Sequence, residues 1–506
     1  MKTLFATLLF SLLQMYPVVI DDSPTRVESS LDPKMELMGT LKPKSVAEIS
    51  SSRWTLDCAG MDREHADWRA IRGYVAPLGI ARIRQQAGWA RCEKDPGMYD
   101  FAWLDQCVFD AQKMGVKVWM ELSYGNPAYE GGGGRHLSAG FPKSEEALQA
   151  WDRWVREIAT HYKGVVSDWC IWNEPNAWRS GNTVEQATDF AVRTAEILRE
   201  VIPNAQIDAF ALTKADPAWI GPFVKELKKR KKEHLFNTIA YHHYKMNPDV
   251  GYNQVEESRK LVAEYTPNLK LKQGEGGTLS EWCLNGALSR YHWTEHTQAK
   301  YNLRRALGDL GHGDDTEVFH LCDLDYRAVK HHWGLLRYGL IKTTGQADGF
   351  RVLKVKKAYY AIQNAVSVFN DALECISPAT TSTIEIEGAE KTAVYDWKDK
   401  ATKTPVVLFW DASDIPQNTD FTKPAKVTVK GKPVKNPVWV DVLTGNVYKI
   451  TEEMISTQGG KTTYSVPAYD SPVFITSMDI LSLGQSWYVR EGKNPNMKPR
   501  AHYFTE

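Results

Sequence analysis

The chain has 506 residues, 43% hydrophobic and 25% charged, which is ordinary globular composition and too much chain for one average domain. Lys plus Arg and Asp plus Glu each number 62, and this balance argues against a broad nucleic-acid or anionic-membrane footprint. The 18 Trp, 22 Tyr and 16 Phe either plug a large core or offer ring faces to sugars.

In chain order, Lys2 and the apolar run over residues 4–13 predict a signal peptide at 1–20, and with it a secreted or periplasmic protein. The run is short of the ~20 apolar residues a membrane-spanning helix needs, and no later segment qualifies, so no membrane span is expected. Residues 21–50 are polar and carry Pro24, Pro33 and Pro43. They read as a leader that wraps the surface or gives a strand to another domain. The cysteines, 7 in number, are scattered without a CxxC pair, which points to buried free thiols and not to a disulfide scaffold or a zinc knuckle.

From residue 51 short apolar runs alternate with helical patterns. The runs are "WTLDCAG", "IARIRQQAG", "VKVWMELSYG", "VSDWCIWNEP", "AQIDAFALT", "FNTIAYHHY", "LKLKQGEGG" and "TEVFHLCDLDY". Strand–helix alternation of this kind predicts parallel strands joined by crossovers. Eight units over residues 51–365 suit a closed (β/α)8 barrel, a TIM barrel of the α/β class, which takes ~250 residues or more. The competing architecture, an open doubly wound sheet, usually brings a glycine-rich phosphate fingerprint after its first strand. The "GGGG" at 131–134 is no such fingerprint and reads as a flexible rim loop after the third strand. Beyond a helical stretch over 354–373, "KVKKAYYAIQNAVSVFNDAL", the chain turns to short alternating strands separated by turns, and residues 366–480 predict a C-terminal β-sandwich. Residues 481–506 read as a polar tail. The basic runs at 225–234 and 423–435 read as solvated faces.

Barrel chemistry sits at the C-terminal strand ends. Those ends offer Arg82, Arg84 and Gln86; Glu121, Tyr124 and Asn126; Asn173 and Glu174; His242, His243 and Tyr244; Glu275; and Asp323 and Asp325. So many polar groups at one face need satisfaction, which a ligand cleft provides. Glu174 and Glu275 are 101 residues apart, three βα units at the usual spacing, which sets them on strands four and seven across the mouth. Two facing carboxylates are what cleavage of a glycosidic bond requires. On this reading the charge of Glu275 keeps Glu174 protonated until a glycosyl ester forms. Glu281 and Glu121 are rivals for the pair, and strand-end placement favours Glu275. Adjacent His242 and His243 point to opposite faces and do not share an ion; Asp323 and Asp325 lack a third calcium ligand. The expected cleft therefore calls for no metal and no cofactor. Trp89, Tyr124, Trp172 and Trp178 fall near loop mouths; Tyr124 and Trp178 are candidate sugar platforms, and Trp172 reads equally as core.

"IWNEPN" followed by "KQGEGG", with "RIRQQAGW", "LSYGNPAY", "HHY" and "HWGLL" before "KVKKAYYAIQN", resembles the clan A glycoside hydrolases. The likeness is to the family of retaining β-xylosidases and α-L-iduronidases and to related bacterial exopolysaccharide hydrolases. It covers about residues 50–365, with a trailing sandwich as in that family. It implies Glu174 as acid/base, Glu275 as nucleophile, Asn173 as partner of a sugar 2-hydroxyl, and Arg84 as support for the nucleophile. It implies that His242 and Tyr244 face the sugar. Gln86 stands where many clan members carry His, "GEGG" replaces commoner sequences, and strand eight lacks a clear Trp. The function implied is retaining hydrolysis of an oligo- or polysaccharide. A transglycosidase, or a non-catalytic carbohydrate-binding protein on a degenerate barrel, are the alternatives.

Overall fold

The computed structural model describes residues 29–484 except 138, 328–332 and 377–380, together with a strand pair formed by Pro17–Val19 and Ala501–Tyr503. The remainder of the expected signal peptide and most of the expected tail lie outside the described residues. The sheet that positions everything else is parallel. Its strands are β1 (Trp54–Asp57), β2 (Arg82–Gln86), β3 (Lys117–Glu121), β4 (Asp168–Cys170), β5 (Gln206–Leu212), β6 (Thr238–His242), β7 (Lys270–Glu275) and β8 (Thr316–Val318). They pair in sequence, and β8 returns to pair with β1. The remaining seam, between β7 and β8, is joined by Gln273 N–H to Asp315 O at 3.1 Å and Phe319 N–H to Gly276 O at 2.9 Å. This is a (β/α)8 barrel.

The helices α1 (Trp68–Ile71), α2 (Ala102–Lys113), α3 (Glu145–His161), α4 (Val184–Val201), α5 (Pro217–Arg230), α6 (Tyr252–Tyr265), α7 (Glu295–Gly311) and α8 (Lys357–Val368) form the outer layer. Their ends follow from local chemistry. Ser144 caps α3 by accepting from Ala147 N–H, and Thr183 with Gln186 forms a reciprocal capping box on α4. α3 buries Trp151, Trp154, Val155 and Ile158 on one stripe, as an amphipathic helix should. α7 is buried all round, because the β-rich part of the chain covers the face that would otherwise meet water. Across that junction Lys300 reaches Asp470 at 2.7 Å, and Arg304 donates to Asp414 O at 2.9 Å.

The β-rich part is two antiparallel sheets facing each other over the apolar layer of Val407, Phe409, Val427, Trp439, Tyr464 and Ile475. The larger sheet takes in Leu37–Leu41, which pairs with Asn446–Lys449. No disulfide joins the described cysteines, and Cys283 and Cys375 are only half-buried. Among the described residues no helix is long and apolar enough to cross a membrane.

The bore of the barrel is packed with side chains. Trp119 fills it beside Cys170, Ala211 and Ala240, with the Arg84 guanidinium 5.6 Å and the Lys272 ammonium 3.8 Å from its ring. The "GEGG" run follows from that packing. A Cβ at Gly274 would stand 2.9 Å from Ala240 Cβ and 3.0 Å from the Trp119 ring, and one at Gly277 would stand 2.1 Å from Phe319 O. Only glycine lets β7 carry Glu275 past this layer.

Candidate active site

Glu174 leaves β4 through buried Ile171 and Trp172. Its φ is 52°, in the left-handed region, and its N–H donates to Ala211 O of β5 at 2.6 Å. Pro175 disfavours the right-handed helical conformation at the residue before it, and the bond to the neighbouring strand holds Glu174 in the left-handed region and not in the extended backbone that usually precedes proline. A non-glycine residue held there costs about 1–3 kcal/mol, a strain that clusters at functional sites. The "NEP" turn thus aims one carboxylate over the barrel mouth. Glu275, the last residue of β7, aims a second.

One carboxylate oxygen of each glutamate and a ring nitrogen of His242 all lie within 4.8 Å of one another. His242 Nδ1 is 2.9 Å from Glu174 Oε1, and its Nε2 is 3.5 Å from Glu275 Oε2. Both carboxylates keep a window to solvent, with side-chain exposures of 18% for Glu174 and 13% for Glu275. They open into a cavity of about 470 Å³ that Gln86, Tyr124, Tyr244, Tyr326, Trp333 and other groups line.

Arg84 is the hub beneath. Fully buried, it donates from Nη1 to Glu275 Oε2 at 2.5 Å and to Asp57 Oδ2 at 2.8 Å. From Nη2 it donates to Glu121 Oε2 at 2.8 Å and to Asn173 Oδ1 at 2.7 Å. A buried cation needs such pairing to be tolerated. Tyr244 donates to Glu275 Oε1 at 2.8 Å, so both oxygens of that carboxylate are held. Asn173 donates to Tyr124 Oη at 2.7 Å, and Gln86 donates to Glu121 Oε1 at 2.7 Å while accepting from Arg63.

The electrostatics differ from the expectation of simple repulsion between the glutamates. Burial would raise the pKa of Glu174. The hydrogen bond and charge of His242 outweigh burial and hold it below the ordinary carboxylate value. Burial would lower the pKa of His242, yet Glu275 and Glu174 together raise it above the ordinary imidazole value. Both directions favour the imidazole over the Glu174 carboxyl as the seat of the proton, across the 2.9 Å bond. Below, burial and neighbouring Asp57 push Glu317 well up, so it is the neutral member of that pair. Among the described residues, Glu174, His242 and Glu275 are the group close enough to share a metal ion. The Arg84 guanidinium and the Tyr244 hydroxyl already occupy the Glu275 oxygens.

The structure brings together Glu174, Glu275, Asn173, Arg84, Gln86, Tyr124, His242 and Tyr244. His242 lies beneath the carboxylates and does not line the cavity as a sugar contact would. Two expected contacts fall away from it. Asn126 is buried and spends its side chain on Glu93 O and Ala128 N–H within a turn. Trp178 is 84% exposed beside the guanidinium of Arg179 and does not line the cavity. Trp89 and Trp172 are core. Glu121 is buried under Arg84, and Glu281 sits outside with Arg337 and Lys342. β8 ends at Val318, so Asp323 and Asp325 lie beyond it. Asp323 is paired with Arg337 and Lys356, and Asp325 with Arg327. His243 points outward to Val250 O at 3.0 Å.

Several lining or supporting groups escape a strand-end reading. Arg63 and His65 come from the β1–α1 loop, and Tyr326, Trp333 and Tyr338 from the excursion after β8. Asp57 is the last residue of β1 and obeys the strand-end rule, which would have found it.

No protein-family model matches the sequence, and no curated protein matches it either. Solved structures do. A family 39 glycoside hydrolase from the gut symbiont Bacteroides cellulosilyticus WH2 superposes with a TM-score of 0.57 at 16% identity, covering 85% of this chain and 81% of that one. A monomeric beta-xylosidase from Caulobacter crescentus CB15 gives 0.50 at 14% identity, over 87% and 98% of the two chains. The GH39 enzyme from Xanthomonas axonopodis pv. citri gives 0.50 at 14%, over 86% and 95%. The fold is that of these glycoside hydrolases.

Proposed function

We propose that the protein is a retaining glycoside hydrolase with Glu275 as nucleophile and Glu174 as acid/base. The observation that carries this is the approach of the two carboxylates to within 4.8 Å, oxygen to oxygen. Retaining enzymes hold the pair ~5–5.5 Å apart, whereas inverting enzymes leave ~6.5–9.5 Å for a water.

In the first step a Glu275 oxygen attacks the anomeric carbon while the bond to the leaving oxygen breaks. The proton held by His242 passes along their hydrogen bond to Glu174, which delivers it to that oxygen and is left ionised. Arg84 and Tyr244 orient Glu275 so that one lone pair faces the sugar. The resulting glycosyl ester is neutral. Glu174, now ionised, takes a proton from water, the water attacks the anomeric carbon, and the ester bond to Glu275 breaks. Asn173, held by Arg84 and Tyr124, is placed to meet a 2-hydroxyl. The β-xylosidase among the similar structures makes aryl β-xylosides the first substrates to try, within a panel of aryl glycosides and polysaccharides.

Glu275→Gln is the direct test of roles. It should abolish turnover of every substrate the wild type cleaves while retaining glycan binding. A Glu275→Gln protein that still turns over would remove the nucleophile from this scheme.

A further inference from the structure

The catalytic cavity does not end at the glutamates. Arg63 and Tyr124 also line a second cavity of about 250 Å³, which adjoins the first across those two side chains. The second one is walled by Lys94 and by Arg135, which follows the glycine run 131–134. That run is a built loop and not the loose rim its composition suggested. Gly125 N–H donates to Gly134 O at 3.0 Å and Asn126 N–H to Gly132 O at 2.9 Å. A Cβ at Gly132 would stand 2.1 Å from Asn126 O, so only glycine permits this packing. Arg179, in the loop between β4 and α4, and Arg290, in the loop between β7 and α7, line the first cavity and are exposed.

Lys94, Arg135, Arg179 and Arg290 have no carboxylate partner among the described residues. The acids on the same lining are mostly answered. Asp62 pairs with Arg63, Glu275 with Arg84 and Glu174 with His242, which leaves Glu64. Because the whole chain carries as many acids as bases, this excess of cations is local. Unpaired cations lining a cleft raise the local concentration of anionic ligands.

We propose that the cleft takes an acidic glycan, with carboxylate- or sulfate-bearing sugars beside the scissile bond, held by Lys94, Arg135 and Arg63 in the second cavity and by Arg179 and Arg290 in the first. This rests on the reading of the cleft as a glycoside site. Arginine forks match both carboxylate and sulfate oxygens.

The test is calorimetric binding to the Glu275→Gln protein of two matched pairs. One pair is uronate oligosaccharides and their carboxyl-reduced forms; the other is sulfated oligosaccharides and their desulfated forms. In at least one pair the charged member should bind about tenfold more tightly, the scale of one charge-assisted hydrogen bond. The pair that discriminates identifies the anion. That preference should shrink in 0.5 M salt and in a Lys94→Ala/Arg135→Ala background. Absence of preference in both pairs, including absence of binding, overturns the proposal, as does a preference untouched by the double substitution. Charged glycans that bind preferentially yet are never cleaved by the wild type would instead sink the hydrolase reading and leave this one standing.

Discussion

His242 Nδ1 stands 2.9 Å from Glu174 Oε1, beneath the mouth of the barrel. The contact places the acid proton on a pair and not on a lone carboxyl. Glu174 is held low by the imidazole, and His242 is held high by the two carboxylates.

The basic limb of the kcat/KM profile should therefore report loss of the shared proton, at a pH above the ordinary imidazole value of 6.5. Removing the imidazole with His242→Asn leaves the Glu174 carboxyl alone as acid. The limb should then move acid-ward, with kcat falling roughly 10²–10⁴-fold, the range of general acid–base catalysis. An unchanged basic limb would show that His242 does not hold the proton.

Arg84→Met leaves Asp57, Glu121 and Glu275 facing each other without their common cation. Breaking a buried pair by removing one partner costs about 3–5 kcal/mol. Urea denaturation should register a loss of that size, and kcat/KM should fall at least ~100-fold as Glu275 loses its orientation. Arg84→Lys keeps the charge but not the fork that reaches Glu275 and Asn173 together. It should recover part of the stability and little of the rate.

His320 supplies a pH test of the fold. Burial would lower its pKa, but its bonds to Asp57 and Cys322 push it up to about 10. A histidine raised in the folded state stabilises fully below the unfolded value near 6.5, and that stability is lost as pH rises through 10. Between pH 6.5 and 10 the wild-type Tm should fall further than that of His320→Gln. Parallel curves would contradict the assignment.

Gly274→Ala places a Cβ against Ala240 and the Trp119 ring. Overpacking of this kind costs about 1–3 kcal/mol, and here it also displaces Glu275, one residue on. Adding Trp119→Phe should restore part of both stability and kcat, because it removes the ring atoms in the way. Simple additivity of the two losses would argue against the clash.

The barrel was legible because apolar runs alternate with helical periodicity, and each of the runs named in the sequence lies on one of β1–β8. The approach of Glu174 to Glu275 follows from the same rhythm, since strand-end position is set by counting βα units. What the rhythm does not carry is the fate of a side chain after the strand. Asn126 has the right position but spends its amide on a turn. Asp323 and Asp325 were assigned to a strand end, but β8 stops at Val318 and the chain runs out into a hairpin. Arg63, Tyr326 and Trp333 arrive from loops, where no period marks them. The balance between His242 and Glu174 depends on a 2.9 Å contact that no spacing encodes.

The most direct measurement is the anomeric configuration of the first sugar released, read by NMR before mutarotation. Two carboxylates this close leave no room for a water between nucleophile and sugar, so the product should keep the configuration of the substrate. A first product of opposite configuration would show that water, and not Glu275, attacks the anomeric carbon.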